Sequence, residues 1–308
     1  MRAVILASIG TLLLMNLAVG DGIVSTQNGT DATADESTAQ LPMWLRGEWS
    51  RDWIQEGTVK SNTFEVHYLQ TPTYFADVRF PKDRSRISTA RSFADLTDQQ
   101  LKLLTHQMGF TGRTTMAGTV ATWHHDIEFQ PSDGAPDTGR LERIRPDRMH
   151  EHGLDSSYIE SWRSLTDGEG RFLVIRVEHA GRLLRTLVVV GNQFVYVRNR
   201  AKDLPVASSF DALIEATNAT REQIVDFLDC EFSVGRVRGA SVLWEIERST
   251  LPWREGRRLD FVEQMSIDDG RSGLVPREVG EDQWTVPVNT LSQGEIKELF
   301  GRESKPES

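Results

Sequence analysis

The sequence predicts a mainly β protein whose antiparallel strands close into a barrel, or two, built from two similar halves with a few short helices. Three observations carry that expectation. Apolar and polar residues alternate along many short runs, the period of a half-buried strand. Gly, Asn and Asp stand between the runs, where tight hairpins need them. Landmark residues also recur at a spacing close to 120, Phe75 with Phe194 and Trp123 with Trp244.

Taken in order, residues 1–20 carry Arg2, an apolar run from Ala3 to Val19, and the small residues Ala18 and Gly20. That is the layout of a secretory signal peptide cut near Gly20. The run is short of the roughly 20 residues a bilayer span needs, and Gly10 and Asn16 interrupt it. Removal is therefore expected, with no stable membrane insertion afterwards. Residues 21–42 are rich in Ser, Thr, Asp, Ala and Gln, too polar to offset the entropy of ordering, and predict a disordered leader. Asn28-Gly29-Thr30 and Asn218-Ala219-Thr220 are candidate glycan acceptors.

Residues 43–152 form the first expected half. Trp49 lies in its opening strand, and the hairpin "EVHYLQTPTYFADVRF" follows, with Phe75, Asp77 and Arg79 on one face. The run "LTDQQLKLLTHQM" has helical spacing, with Thr97 as N-cap. A long strand, "GTVATWHHDIEFQ", ends the half. Residues 153–264 repeat this order. Trp162 stands where Trp49 did, and Phe194-Val195-Tyr196-Val197-Arg198 aligns with Phe75-Ala76-Asp77-Val78-Arg79. Two helices broken near Asn218 replace the single one, and Trp244 closes the series. Residues 265–308 add a strand and a short helix capped by Ser292. Antiparallel strands must close or be covered to protect their edges, which favours barrels.

The net charge of −10 argues against a nucleic-acid partner, which needs a basic face. Cys230 is the one cysteine, so no intrachain disulfide exists and the core alone must hold the fold. Its place after "IVDFLD" suits a buried small apolar group rather than a nucleophile. No phosphate loop, dinucleotide fingerprint, Gly-x-Ser-x-Gly, His-Glu-x-x-His or Cys-x-x-Cys occurs, so no cofactor is expected.

Gly47-Glu48-Trp49 resembles the Gly-x-Trp of lipocalins and related calycin barrels. The resemblance implies a tryptophan that plugs one barrel end and packs against an arginine from a late strand, a part open to Arg79 or Arg198. It also implies a small hydrophobic molecule held in the barrel. The chain lacks the Thr-Asp-x-x-Tyr motif and the family's disulfide, has no glycine in Glu160-Ser161-Trp162, and is longer than one such barrel. It is therefore similar to a duplicated, lipocalin-like family.

Candidate chemistry centres on "ATWHHDIEFQP". On a regular strand Trp123, His125, Ile127 and Phe129 share the inward face, and His124 faces water. An inward His125 is either a satisfied core histidine or an acid/base near neutral pH. Asp77 and Arg79 share a face with Phe75 and read either as a buried pair marking a site or as a surface pair. His150 and His152 have a spacing that zinc sites use, with His124 or His125 as the conceivable third ligand. No Cys or Asp cluster supports that site, so no metal is assigned and a solvated loop ending at Gly153 is expected.

The expected function is a secreted, lipocalin-like protein binding a small hydrophobic molecule in a barrel cavity. Trp49, Phe75, Trp123, Trp162, Tyr196, Arg198 and Trp244 are its expected ligand-binding residues. The alternative is a cofactor-free isomerase, cyclase or dehydratase acting on a hydrophobic intermediate in the same cavity. There His125 would be the acid or base, Asp77 would tune it, and Arg79 would steady negative charge.

Overall fold

Strand β1 (Gly47–Glu56) is followed by the short β2 (Val59–Ser61), which pairs only with the end of β1. Then come β3 (Phe64–Gln70), β4 (Tyr74–Pro81), helix α1 (Asp98–Leu104), β5 (Met108–Ala117), β6 (Val120–Glu128), β7 (Asp137–Arg145), β8 (Arg148–Gly153) and β9 (Tyr158–Ser164). In this computed structural model, which describes residues 41–84, 87, 90–154, 158–165, 170–238, 243–268, 273–277 and 280–300, each barrel strand bonds antiparallel to the next. β9 returns to β1, with Arg51 opposite Trp162 and Glu56 opposite Tyr158. The product is an eight-stranded antiparallel barrel with β2 outside it. Closure leaves no long edge to aggregate. The expected signal peptide, nearly all of the leader, and Asn28 lie outside the described residues.

Alternation explains the closure. Trp49, Val66, Tyr68, Phe75, Ala121, Trp123, Leu141, Met149 and Trp162 come from seven of the eight strands and form one buried cluster, joined by Leu41 and Leu45 from the segment before β1. Each large side chain buried there contributes roughly 1.5–3 kcal/mol. The Trp49 indole N–H donates to the Leu45 carbonyl at 2.8 Å.

Two bulges re-aim strands. On β6 the register slips at Asp126, so Trp123 and His125 face inward while Ile127 and Phe129 turn outward. This corrects the single face predicted for all four residues. The slip depends on Gly112, where an added Cβ would lie 1.8 Å from the His124 carbonyl oxygen. On β1 the register slips at Asp52, which turns Trp53 outward.

The second unit comprises β10 (Phe172–His179), β11 (Arg182–Val190), β12 (Gln193–Arg198), α2 (Phe210–Thr217), α3 (Arg221–Leu228), β13 (Glu231–Arg238), β14 (Leu243–Ser249), β15 (Met265–Asp268), β16 (Gly273–Pro276), β17 (Gln283–Asn289) and α4 (Gln293–Phe300). Its six-stranded sheet runs β14-β13-β12-β11-β10-β17, and β15 pairs with β16 alone. The predicted caps are present. The hydroxyls of Thr97 and Ser292 accept from the N–H groups of Gln100 and Glu295, and Asn218 makes the left-handed turn between α2 and α3.

The two halves share their element order. β3-β4-α1-β5-β6 corresponds to β11-β12-α2-α3-β13-β14, and β14 carries a like bulge at Glu247 opposite Gly235 of β13, whose added Cβ would lie 1.9 Å from the Glu245 carbonyl oxygen. Trp162 is the exception. It sits on β9, closes the barrel against the strand of Trp49, and does not open the second unit. The first half therefore runs past the boundary expected at 152, because the barrel needs β9 to close.

One apolar layer joins the units. Val78, Phe80, Ile127 and Phe129 on the outside of the barrel pack with Val188, Val195, Phe232 and Val234 of the sheet, and α1, α2 and α3 pack into the same layer. Cys230 is fully buried there, and burial pushes its thiol up, as expected of a small core residue. The units also exchange arginines. Arg84, after β4, donates to the Ser249 carbonyl at 2.8 Å, and Arg200, after β12, donates to the carbonyls of Glu128 and Phe129 at 2.7 and 2.6 Å. The opposite face of the sheet is covered by Leu259, Phe261, Val262, Met265 and α4.

Candidate functional site

Inside the barrel the alternation that aligns Phe75 with Asp77 and Arg79 brings polar groups into the interior. The Arg79 guanidinium donates to both Asp77 carboxylate oxygens at 2.8–3.1 Å and lies 3.6 Å from Glu160 of β9. Burial opposes its charge, but the carboxylates of Asp77 and Glu160 outweigh it and hold the group above its ordinary value. Arg51 of β1 pairs with the same Glu160. Glu151 of β8 accepts from the Tyr158 hydroxyl and the Trp162 indole, each at 3.1 Å. Burial, then the neighbouring carboxylates of Glu160 and Asp137, push Glu151 well above the usual carboxylate range. Arg79 also stands 5.7 Å from the Phe110 ring and 5.9 Å from Trp162, while Arg198 belongs to the other unit. Arg79 thus stands beside Trp162, whereas the lipocalin resemblance implied an arginine against Trp49.

His125 faces this interior but keeps its own partners. Nδ1 meets Glu128 at 2.5 Å and Nε2 meets Asp137 at 3.0 Å, with Phe75 and Phe110 against the ring. Asp77 is taken by Arg79, so the expected tuning of His125 by Asp77 is replaced by two other carboxylates. Burial disfavours the charged imidazole, but Asp137 and Glu128 outweigh it and push the pKa up to about 9. The folded barrel then holds a proton that the unfolded chain releases near 6.5. The resulting stability, up to about 3 kcal/mol, is fully present below that pH and lost as pH rises through the folded value. Urea unfolding at about pH 6 and about pH 10 is expected to show that loss in the wild type and much less of it in His125→Gln.

The second unit offers open space beside the same face of its sheet. Tyr196 and Arg198 line a cavity of about 320 Å³ with Glu231, Trp253, Arg254 and Phe261. A second cavity of about 420 Å³ adjoins it, sharing Trp253, Arg254 and Asp260 and adding Arg91, Arg257 and Arg258. The Tyr196 ring packs tilted against Phe261, with centroids 5.0 Å apart. Burial raises the Tyr196 hydroxyl above its ordinary range, so it stays a neutral donor. Glu231 lies between two guanidiniums, 2.9 Å from Arg254 and 3.9 Å from Arg198. Arg198 also binds Asp229 at 2.6 Å, Arg254 reaches Asp260 at 3.7 Å, and Arg258 pairs with Glu263 at 3.4 Å. Arg91 and Arg257 form no ion pair among the described residues. The first cavity sets three aromatic rings among charged groups, and the second is lined mainly by arginines, in a chain of net charge −10.

No protein-family model matches this chain, and no curated protein matches it. Among solved structures, the uncharacterized protein YLR301w from Saccharomyces cerevisiae is similar to 66% of this chain over 83% of its own length, at 10% identity and a TM-score of 0.40.

The predicted residues divide between these places. Trp49, Phe75, Trp123 and Trp162 are buried in the barrel cluster, where the Trp123 indole donates to the Tyr68 hydroxyl at 3.0 Å. Trp244 is buried between Phe194 and Phe300 and donates to the Leu299 carbonyl. Tyr196 and Arg198 line the open cavity, and Asn218 is exposed. Sequence reasoning missed Arg51, Glu151 and Glu160, although each lies two residues from an inward Trp49, Met149 or Trp162 on the same strand, and that alternation was the available signal. It also missed the run Trp253-Arg254-Glu255-Gly256-Arg257-Arg258, whose basic concentration in an acidic chain was the available signal.

Proposed function

We propose that the protein is a small-molecule-binding protein of calycin-like type, carried on the secretory route, whose guest sits in the cleft beside the second sheet. Its ligand is an amphipathic organic anion, a flat apolar body with an acidic head. The observation that carries this reading is the pair of adjoining cavities sharing Trp253 and Arg254. Tyr196, Phe261 and Trp253 contribute aromatic groups to the wall beside the body, and Arg91 and Arg257 offer charge to the head. The body keeps the hydrophobic ligand expected from the sequence, and the arginines add the acidic group. The signal-like segment at Ala3–Val19 and the exposed acceptor Asn218 support the secretory route.

Anilinonaphthalene sulfonate, an aromatic ring system bearing a sulfonate, is a direct probe. The native full chain is expected to bind it with enhanced emission and with energy transfer from tryptophan, and added salt should weaken the binding. Arg91→Ala with Arg257→Ala should weaken binding about tenfold, on the order of 1.4 kcal/mol, without lowering the melting temperature. Equal binding by that variant, or no binding by the wild type, would refute the assignment.

A further inference from the structure

A third cluster lies on the outer wall of the barrel, outside both the interior network and the cleft. The segment expected as a solvated loop is strand β8, and its alternation is decisive. Met149 and Glu151 point inward, so His150 and His152 share the outward face. Glu142 of β7 stands directly opposite His150 in the ladder. We propose that Glu142, His150 and His152 bind one divalent transition-metal ion, zinc or a metal of similar ligand preference.

Their donor atoms all lie within 4.8 Å of one another. Ligands on a zinc ion with bonds of about 2.0–2.1 Å sit roughly 3.4 Å apart, so small side-chain rotations close the site. One pair is already near that spacing, with His152 Nε2 at 3.1 Å from Glu142 Oε2. The His150 ring meets the edge of Trp53 at 5.5 Å, which limits its orientation. Two imidazoles and one carboxylate suit zinc, copper or nickel, whereas calcium and magnesium take oxygen shells. Lys60, which lies over Trp53, and Arg140, opposite His152 in the ladder, oppose a cation electrostatically. The coordination bonds to nitrogen must outweigh them. Three protein ligands leave a fourth position open to water on an accessible surface.

The test uses the full chain purified without a histidine tag and stripped with chelator. Calorimetric titration with zinc chloride is expected to show one ion bound per chain. Cobalt should give a visible absorption band that zinc abolishes, and copper should quench part of the tryptophan emission, a part absent in Trp53→Phe. His150→Gln with His152→Gln should weaken zinc binding at least about 100-fold, beyond the loss seen for outer-shell ligands. Glu142→Gln should weaken it less. Unchanged melting of these variants in chelator would show that the fold persists. Zinc binding that survives the double substitution, or no zinc binding by the wild type, overturns the proposal.

Discussion

Replacing Glu160 by Ala is expected to destabilise the protein by about 3–5 kcal/mol, the range found when one partner of a buried ion pair is removed. Glu160 is 3% exposed, accepts from Arg51 and lies 3.6 Å from Arg79. Its loss leaves Arg51, itself 7% exposed, charged in the interior without its carboxylate. A guanidinium cannot escape by deprotonating, so the cost falls on the fold. The double substitution Arg51→Met with Glu160→Leu should recover much of the loss, because apolar groups of similar volume need no partner. Urea unfolding of the single and double variants checks both statements. A single variant within about 1 kcal/mol of wild type would mean that solvent reaches this pair.

The second large effect is expected at Gly112. Adding a methyl group there drives it to 1.8 Å from a backbone carbonyl, and backbone cannot swing aside as a flexible side chain does. Either the bulge reverts, turning Ile127 and Phe129 back toward the lumen, or β5 parts from β6. Gly112→Ala should therefore cost about 4 kcal/mol or more, a fall of roughly 10 °C in melting temperature. Gly235→Ala should behave alike, since its added carbon meets the Glu245 carbonyl oxygen at 1.9 Å. Gly280→Ala has nothing within 4 Å of the added carbon and should leave thermal unfolding nearly unchanged. Equal melting of Gly112→Ala and Gly280→Ala would show that the bulge is unimportant to the fold.

These cases mark how much the sequence disclosed. Local rules were legible. Thr97 and Ser292 cap the helices they precede, Asn218 breaks α2 from α3, and Phe75, Asp77 and Arg79 share the inward face. The correspondence of Phe75 with Phe194 and Trp123 with Trp244 was legible too, because repeated order survives without knowledge of register. What failed depended on non-local pairing. A bulge of one residue flips all that follows it, so Ile127 and Phe129 could not be assigned from alternation alone. The role of Trp162 depended on β9 crossing back to β1, a contact between residues more than 100 apart in sequence. The third ligand at His150 and His152 was hidden for the same reason. Glu142 comes from the neighbouring strand, and only the β7–β8 register brings it near. The cleft was half visible, since Tyr196 and Arg198 were singled out while the basic run after Pro252 was not.

The arginines exchanged between the units have a mechanical consequence. Arg84 grips the far end of the other unit's β14, and Arg200 grips the end of β6, across a wall made of side chains from both. Neither unit can come apart without stripping the hydrocarbon lining from its neighbour and orphaning a guanidinium. The chain should thus melt as one cooperative body, although its architecture divides into two.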